Sequence, residues 1–342
     1  MHILAPEHNT SLVGQEQAAE LFMQATTARL HHAWLLHGPR GIGKTTFAYH
    51  CANYLLSNGR QKIGELNPQD PDFKLIAAGA HPDLTVVVQP VDEKTGITKA
   101  EIPVAAVRVL SGFFQKTSGR EGWRIAIVRG ADLLNRNAAN ALLKILEEPP
   151  QRALLLMTAS TPGKLLPTIR SRCRPLALQS LSATTMADVL RGYQDGTDLA
   201  ALDELQRLSS GSPGVALRLL ENDGLQLYRD FISLMQTPPR ALPEALLRFV
   251  GNGGKQEQER FDLVAGYCQN WLQRLIHLQA TGVAREVIAG EGQLLRRMAL
   301  LKPVDRWFEL AETCQTRWQT ASQASLDKRL VLMNNLQQLL VA

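Results

Sequence analysis

The sequence contains few cysteines, and those it has lie far apart. Cys51, Cys173, Cys268 and Cys314 form no CxxC pair and show no spacing typical of metal ligands. Reduced, buried thiols are therefore expected, which suits a cytoplasmic protein rather than a secreted one that depends on disulfides.

Long apolar runs and runs of like charge are also lacking. The longest apolar stretches, such as Ala153–Met157, are far shorter than the roughly 18 residues that a membrane-spanning helix requires. Residues 1–7 lack the basic and apolar segments of a signal peptide, so none is expected. The 37 basic and 32 acidic residues are mixed along the chain, and the net charge of +5 permits contact with nucleic acid without indicating it.

The composition is that of a folded protein with more than one domain. Hydrophobic residues make up 45% of the chain and charged residues 20%, which is typical of folded soluble proteins. A length of 342 residues exceeds one ordinary hydrophobic core, so two or three domains are expected.

The first half of the chain alternates short apolar runs with helical patterns. The runs predict five strands, at Ala33–Leu36, Leu84–Val88, Arg124–Val128, Ala153–Thr158 and Pro175–Leu178. Helical spacing predicts helices at Thr45–Leu56, Val104–Phe114 and Ala138–Glu147. Apolar strands that alternate with helices indicate a parallel sheet covered on both faces. The polar stretch Ser57–Pro82 has no clear periodicity and is expected to be a long loop or insertion.

After about Leu181 the strand signals stop and only helical periodicity remains. The predicted fold class is an α/β P-loop domain with a parallel sheet, followed by a small helical domain and an all-α C-terminal domain. We place these domains at residues 1–181, 182–225 and 226–342.

A glycine-rich turn follows the first predicted strand and opens the first predicted helix. The segment Gly38–Thr45 reads GPRGIGKT and fits the pattern GxxxxGK[ST] at every fixed position. Glycines let backbone N–H groups turn towards phosphate oxygens, and the helix N-terminus adds a positive dipole end. Lys44 would reach the β- and γ-phosphates, and Thr45 would offer its hydroxyl to Mg²⁺. The candidate nucleotide-binding residues are Gly38, Pro39, Arg40, Gly41, Ile42, Gly43, Lys44, Thr45 and Thr46.

The acidic residues that a hydrolytic P-loop site needs are missing from the expected place. A neighbouring strand should end in a carboxylate that holds Mg²⁺. Strand Arg124–Val128 instead runs into Arg129, which cannot bind a cation, and Gly130, which cannot act as a base. Asp132 lies three residues after Arg129 and could be a distant substitute for the missing acid. We favour the interpretation that it is an N-cap or turn residue before the next helix. The sequence thus favours binding of ATP or ADP with Mg²⁺ and disfavours fast hydrolysis.

Four further stretches resemble the AAA+ clamp-loader family of bacterial DNA polymerase III. They are LVGQ at 12–15 with RLHHA at 29–33, HPD at 81–83, NAANALLKILEEPP at 137–150, and LLPTIRSRC at 165–173. Together they are far more specific than the P-loop alone, and they cover the chain from Leu12 to about Leu220. The resemblance implies an AAA+ nucleotide-binding domain, a helical lid and a helical collar through which subunits assemble.

The resemblance also implies a role for Arg172, which matches the arginine of the family's SRC motif. That arginine acts in trans, as a finger that projects towards the γ-phosphate bound by the neighbouring subunit. The implied partners are gamma/tau-like ATPase subunits and a delta-like subunit, with the sliding clamp and primed DNA reached through the assembly. Arg170 and Arg174 are weaker candidates, and the pair Glu147–Glu148 is assigned no chemistry.

Three departures from the family's active ATPases agree with one another. Arg129–Gly130 stand where those subunits carry Asp-Glu, Ala159 stands at the first sensor, and Gly214 stands where the second sensor has arginine. The four-cysteine zinc module that many non-hydrolysing members carry is also missing, since only Cys51 remains, so no zinc is expected.

Three hypotheses follow. The favoured one is a non-hydrolysing stator subunit, a component of the polymerase holoenzyme with no polymerase site of its own. An active AAA+ motor subunit is the alternative, supported by the complete P-loop. A separate nucleotide sensor or nucleic-acid-binding regulator has no support from a helix-turn-helix, a zinc finger or a dense basic stripe.

Overall fold

A computed structural model describes residues 4–92, 98–115, 122–193, 199–251, 257–323 and 327–340. The strands are β1 (Ala33–His37), β2 (Leu84–Val87), β3 (Arg124–Val128), β4 (Ala153–Ala159) and β5 (Arg174–Ala177). The helices that accompany them are α1 (Glu16–Thr27), α2 (Lys44–Leu56), α3 (Pro71–Ala77), α4 (Val104–Gln115), α5 (Arg136–Glu147) and α6 (Pro167–Arg170).

Only helices follow β5 in the described residues, as predicted. The first are α7 (Ala183–Tyr193), α8 (Leu199–Leu208), α9 (Pro213–Glu221), α10 (Gly224–Met235) and α11 (Leu242–Val250). The remaining ones are α12 (Glu257–Thr281), α13 (Glu291–Ala299), α14 (Val304–Gln323) and α15 (Lys328–Leu340). No helix in these described ranges is long and apolar enough to cross a membrane.

The five strands form one sheet in the order β2-β3-β4-β1-β5, and every neighbouring pair is parallel. The predicted α/β fold class with a parallel sheet is therefore confirmed. In a parallel sheet all carboxyl ends lie at one edge, so the segments after β1, β3 and β4 come together. His37 at the end of β1 pairs with Ala159 at the end of β4, which brings the P-loop beside the predicted first-sensor position.

Alternate residues of the buried strands face two separate cores. Trp34 and Leu36 of β1 pack into a cluster with α1 and α2, which contains Phe22 and Phe47. Leu35 of β1 points the other way, into a cluster with α4 and α5. This period of two explains why the strands are apolar at every position, because both faces of the sheet are covered by helices.

The stretch Ser57–Pro82, predicted as a loop, contains helix α3, so the loop prediction was wrong in part. Asp70 caps this helix by accepting hydrogen bonds from the backbone N–H groups of Asp72 and Phe73, and Pro71 occupies its first turn. The buried Asp72 carboxylate accepts from Arg60 at 2.6 Å and lies 3.5 Å from the His81 ring. These polar contacts, together with the buried side chains of Phe73 and Ile76, stabilise the segment.

The chain divides into two compact units. One consists of Met1–Asp195 with Ser210–Val215, and the other of Gly196–Ser209 with Ala216–Ala342. The first unit contains the sheet and the second is helical. The three-domain division at 181/182 and 225/226 stays a prediction.

Candidate functional site

The predicted phosphate loop forms between the end of β1 and the start of α2. Gly41 (φ 77°) and Gly43 (φ 94°) have the left-handed backbone that glycine adopts without strain. Position 38 has room only for glycine, because a Cβ there would lie 2.5 Å from the carbonyl oxygen of Leu178. The loop therefore turns back on itself at the N-terminus of α2, the arrangement that binds anions.

Lys44 is the buried cation of this loop. Its side-chain Nζ donates hydrogen bonds to the carbonyl oxygens of Gly38 at 2.8 Å and Pro39 at 2.6 Å. Burial lowers the pKa of Lys44 to about 8; the nearby Asp132 carboxylate opposes this shift, and Arg40 adds to it. An ammonium with this pKa is mostly protonated at neutral pH, so the loop holds a positive charge where a phosphate would bind.

The other predicted loop residues differ in exposure. Pro39 and Arg40 are exposed, whereas Thr45 and Thr46 are half-buried in the first turn of α2. Ile42 is buried in the core cluster of α1 and α2, so only its backbone can face a ligand. In the described residues no group of three or more His, Cys, Asp or Glu side chains is placed to hold a metal ion.

The two residues that follow β3 carry no carboxylate, and their backbone N–H groups are hydrogen-bonded within the protein. The Arg129 N–H donates to the Val87 carbonyl, and the Gly130 N–H donates to the buried Thr158 hydroxyl at 2.9 Å. Gly130 has φ 73°, and a Cβ there would lie 2.9 Å from the Leu133 side chain. A glutamate at this position would have to adopt this strained left-handed backbone and displace the end of the Leu133 side chain.

Asp132 has a structural role that the sequence did not reveal. One carboxylate oxygen accepts hydrogen bonds from the backbone N–H groups of Ser160 at 3.0 Å and Thr161 at 2.8 Å. These bonds join the turn after β3 to the turn after β4. Asp132 lies in the turn Ala131–Leu133, but the N-cap of α5 is Asn135, whose side chain accepts from the Ala138 N–H. The turn prediction for Asp132 was correct and the N-cap prediction was wrong.

Gly214, at the predicted second-sensor position, lies directly against the P-loop. Its N–H donates to the Gly41 carbonyl oxygen at 2.9 Å. A Cβ on Gly214 would lie 2.9 Å from that oxygen and 3.2 Å from the Gly41 Cα. This close approach leaves no room for an arginine side chain to begin here without a shift of the backbone.

Arg172 follows α6, is half-buried, and contacts Glu147 and Thr168. One terminal nitrogen lies 3.0 Å from the Glu147 carboxylate, and the other donates to the Thr168 carbonyl at 3.0 Å. The sequence analysis gave no role to Glu147, which is 25 residues before Arg172 in the chain. No local signal could have shown this pairing, because it depends on how α5 and α6 pack.

The P-loop helix is held in place by a buried neutral histidine. His50 of α2 lies 3.1 Å, through Nε2, from the Asn9 carbonyl oxygen, and its Nδ1 accepts from the Gly64 N–H at 3.0 Å. Burial lowers the pKa of His50 to about 4, although the bond to Asn9 opposes the shift.

The depressed pKa of His50 predicts a loss of stability in acid. The unfolded chain binds a proton near pH 6.5 and the folded chain only near pH 4, so the contribution is complete above pH 6.5 and declines between these values. The difference corresponds to about 3 kcal/mol in the free energy of unfolding. Urea unfolding at pH 7 and pH 4.5 should show this decline, and His50→Gln should flatten it. An equal slope in the variant would contradict the assignment.

Comparison with known proteins shows which family the chain is similar to. The family model described as "DNA polymerase III, delta subunit" matches residues 14–182. DNA polymerase III subunit delta′ of Pseudomonas aeruginosa is 40% identical over 188 residues, which span 55% of each chain. The Escherichia coli subunit delta′ is 30% identical over 313 residues, covering 89% of this chain and 87% of that protein. The Escherichia coli subunit tau is 29% identical over 221 residues, which are 63% of this chain and 33% of that one. Because the Escherichia coli delta′ subunit is matched over most of its length, the chain belongs to the delta′ subunit family of DNA polymerase III.

Proposed function

We propose that this chain is the stator subunit of a clamp loader, which binds a nucleotide, hydrolyses it poorly and serves a neighbouring ATPase. The observation that carries the proposal is the pairing of a complete P-loop with a β3 end that presents Arg129 and Gly130. A site of this kind can hold phosphates, but it has no carboxylate at the strand end to bind Mg²⁺ or align a water.

The ligand is ATP or ADP with Mg²⁺. Backbone N–H groups of residues 38 and 40–46, the N-terminus of α2 and the Lys44 ammonium would hold the phosphates. The Thr45 hydroxyl would face the Mg²⁺, which screens the phosphate charge when it is bound. The described residues fit this ligand, since the glycine turn and the buried cation Lys44 are both formed.

Asp132 is unsuited to replace the missing acid. Its carboxylate accepts two backbone hydrogen bonds, from Ser160 and Thr161, and these bonds hold the two turns together. Moving the carboxylate towards a metal ion would break both hydrogen bonds and separate the two turns that it joins. Ala159 and Gly214 likewise provide no side chain that could sense the γ-phosphate.

Arg172 is the catalytic contribution of this chain to the complex. As an arginine finger it would stabilise the charge that develops on the γ-phosphoryl group bound by the adjacent subunit. That subunit would be a gamma/tau-like ATPase, and the likeness to the tau subunit supports a shared assembly. A delta-like subunit, the sliding clamp and primed DNA would be reached through the same cytoplasmic complex, with residues 226–342 as the collar.

ATP turnover separates this proposal from the motor-subunit alternative, which the complete P-loop favours. The purified chain alone should bind nucleotide yet turn it over far more slowly than the complex with its gamma/tau-like and delta-like partners. Turnover by the isolated chain at the rate of a working AAA+ motor would contradict the stator role. The same measurement on a Thr45→Ala variant controls for a contaminating ATPase, whose activity would be unchanged.

Lys44→Ala tests whether the P-loop of this chain is used. Loss of a charged hydrogen-bond donor to phosphate costs about 1.5–3 kcal/mol, which is roughly 10- to 100-fold in affinity. Titration of the isolated chain with a fluorescent ADP analogue should show this loss. ATP hydrolysis by the complex should fall less than it does for Arg172→Ala, and an equal or larger fall would mean that nucleotide bound here drives the cycle.

A further inference from the structure

Glu147 and Arg172 form an ion pair that the proposed function does not explain. Glu147 is the last residue of α5, and one of its carboxylate oxygens lies 3.0 Å from a terminal nitrogen of Arg172. The other terminal nitrogen of Arg172 donates to the Thr168 carbonyl of α6 at 3.0 Å. The guanidinium is therefore held between the ends of two helices.

The end of α5 that carries Glu147 is firmly placed. Leu142, Ile145 and Leu146 are buried against the sheet. The His32 ring, at the start of β1, is within hydrogen-bonding distance of the Leu146 carbonyl oxygen, 3.1 Å from Nε2. Two prolines follow at 149 and 150, which prevent the helix from continuing. The backbone that carries Glu147 is therefore fixed, although the side chain itself is exposed.

The ion pair between Glu147 and Arg172 is weak, and this limits its effect on the guanidinium. The side chains of Arg172 and Glu147 are 37% and 49% exposed, and pairs in contact with water are weak. A weak pair cannot keep the guanidinium from a triphosphate, which carries more charge than one carboxylate. It can restrict a side chain that otherwise samples many rotamers. The two contacts engage two of the five N–H donors of the guanidinium, which leaves donors for an anion.

We infer that Glu147 is a positioning residue for Arg172: it holds one edge of the guanidinium so that the side chain is already restrained when the neighbouring subunit presents its nucleotide. This inference rests on the proposed trans role of Arg172. It predicts an effect of Glu147 on hydrolysis that acts only through Arg172.

A double-mutant cycle in the assembled complex tests the inference. Glu147→Ala should lower kcat for ATP hydrolysis by about two- to fivefold, the range expected for an exposed ion pair, and should leave KM for ATP unchanged. In the Arg172→Ala background the same substitution should have no effect. Glu147→Gln keeps a hydrogen-bond acceptor and should recover part of the rate. Glu148→Ala, an exposed carboxylate one residue later, is the matched control and should behave like the unmodified chain.

The outcomes distinguish a failure of the positioning role of Glu147 from a failure of the proposed trans role of Arg172. If Arg172→Ala slows the complex and Glu147→Ala does not, only the positioning role is overturned. A faster complex with Glu147→Ala would show that the carboxylate restrains the finger, which also overturns it. If Glu147→Ala slows the complex equally in the presence and absence of Arg172, its effect is on folding or assembly. If Arg172→Ala leaves hydrolysis unchanged, the trans finger itself is rejected.

Discussion

Arg172→Ala is expected to abolish most ATP turnover at the neighbouring site, while this chain remains folded and binds nucleotide as before. Arginine fingers contribute about 10³–10⁵ in rate in other phosphoryl-transfer enzymes. In a complex with several working sites, the total rate of ATP hydrolysis should therefore fall by roughly the fraction contributed by the site that Arg172 serves. Single-turnover hydrolysis by the complex, with nucleotide affinity measured in parallel, provides the test.

Arg170 and Arg174 supply matched controls for this substitution. Arg170 is exposed at the end of α6, and Arg174 lies over the Trp34 ring at 4.8 Å. Arg170→Ala should leave hydrolysis by the complex unchanged. A loss as large as that of Arg172→Ala would mean that the positive charge of the segment, rather than one finger, is what matters.

Glu291→Ala is expected to have the largest effect on stability. Its side chain is fully buried in the helical unit, where it pairs with Arg274 and accepts a hydrogen bond from the Tyr228 hydroxyl. Arg274 also donates to that hydroxyl at 2.7 Å and to the Arg285 carbonyl. Removal of one member leaves a buried guanidinium without its counter-charge, which costs about 3–5 kcal/mol. Urea unfolding of the full chain should show the transition of this unit at lower denaturant.

The matched control is an exposed ion pair in the same unit. The side chains of Glu244 and Arg248 are 81% and 79% exposed, and they lie four residues apart on α11. Glu244→Ala should change the free energy of unfolding by no more than about 0.5 kcal/mol. Replacing Glu291 and Arg274 together with apolar residues of similar size should destabilise less than Glu291→Ala alone. A change for Glu291→Ala as small as the control would show that the pair is not desolvated.

Elements with strong local signals were predicted well. Strand β3 was predicted at Arg124–Val128, where the structure has it, and the predicted helix Thr45–Leu56 differs from α2 by one residue. Helix α3 was missed because it is only seven residues long, too short for its buried residues Phe73 and Ile76 to stand out from the polar residues around them. Asp70 followed by Pro71 was the available signal, since an aspartate N-cap before a proline is typical of a helix start.

The sequence by itself determined the phosphate loop and the absence of an acid from the two positions directly after β3, because both depend on residues that are adjacent in the chain. A glycine turn before a helix forms locally, and Arg129 and Gly130 cannot supply a carboxylate in any fold. Only the tertiary structure decided which distant residues meet. It placed Gly214 against Gly41 and Glu147 against Arg172, and it used Asp132 to join two turns. These contacts depend on how strands and helices pack, which no local pattern encodes.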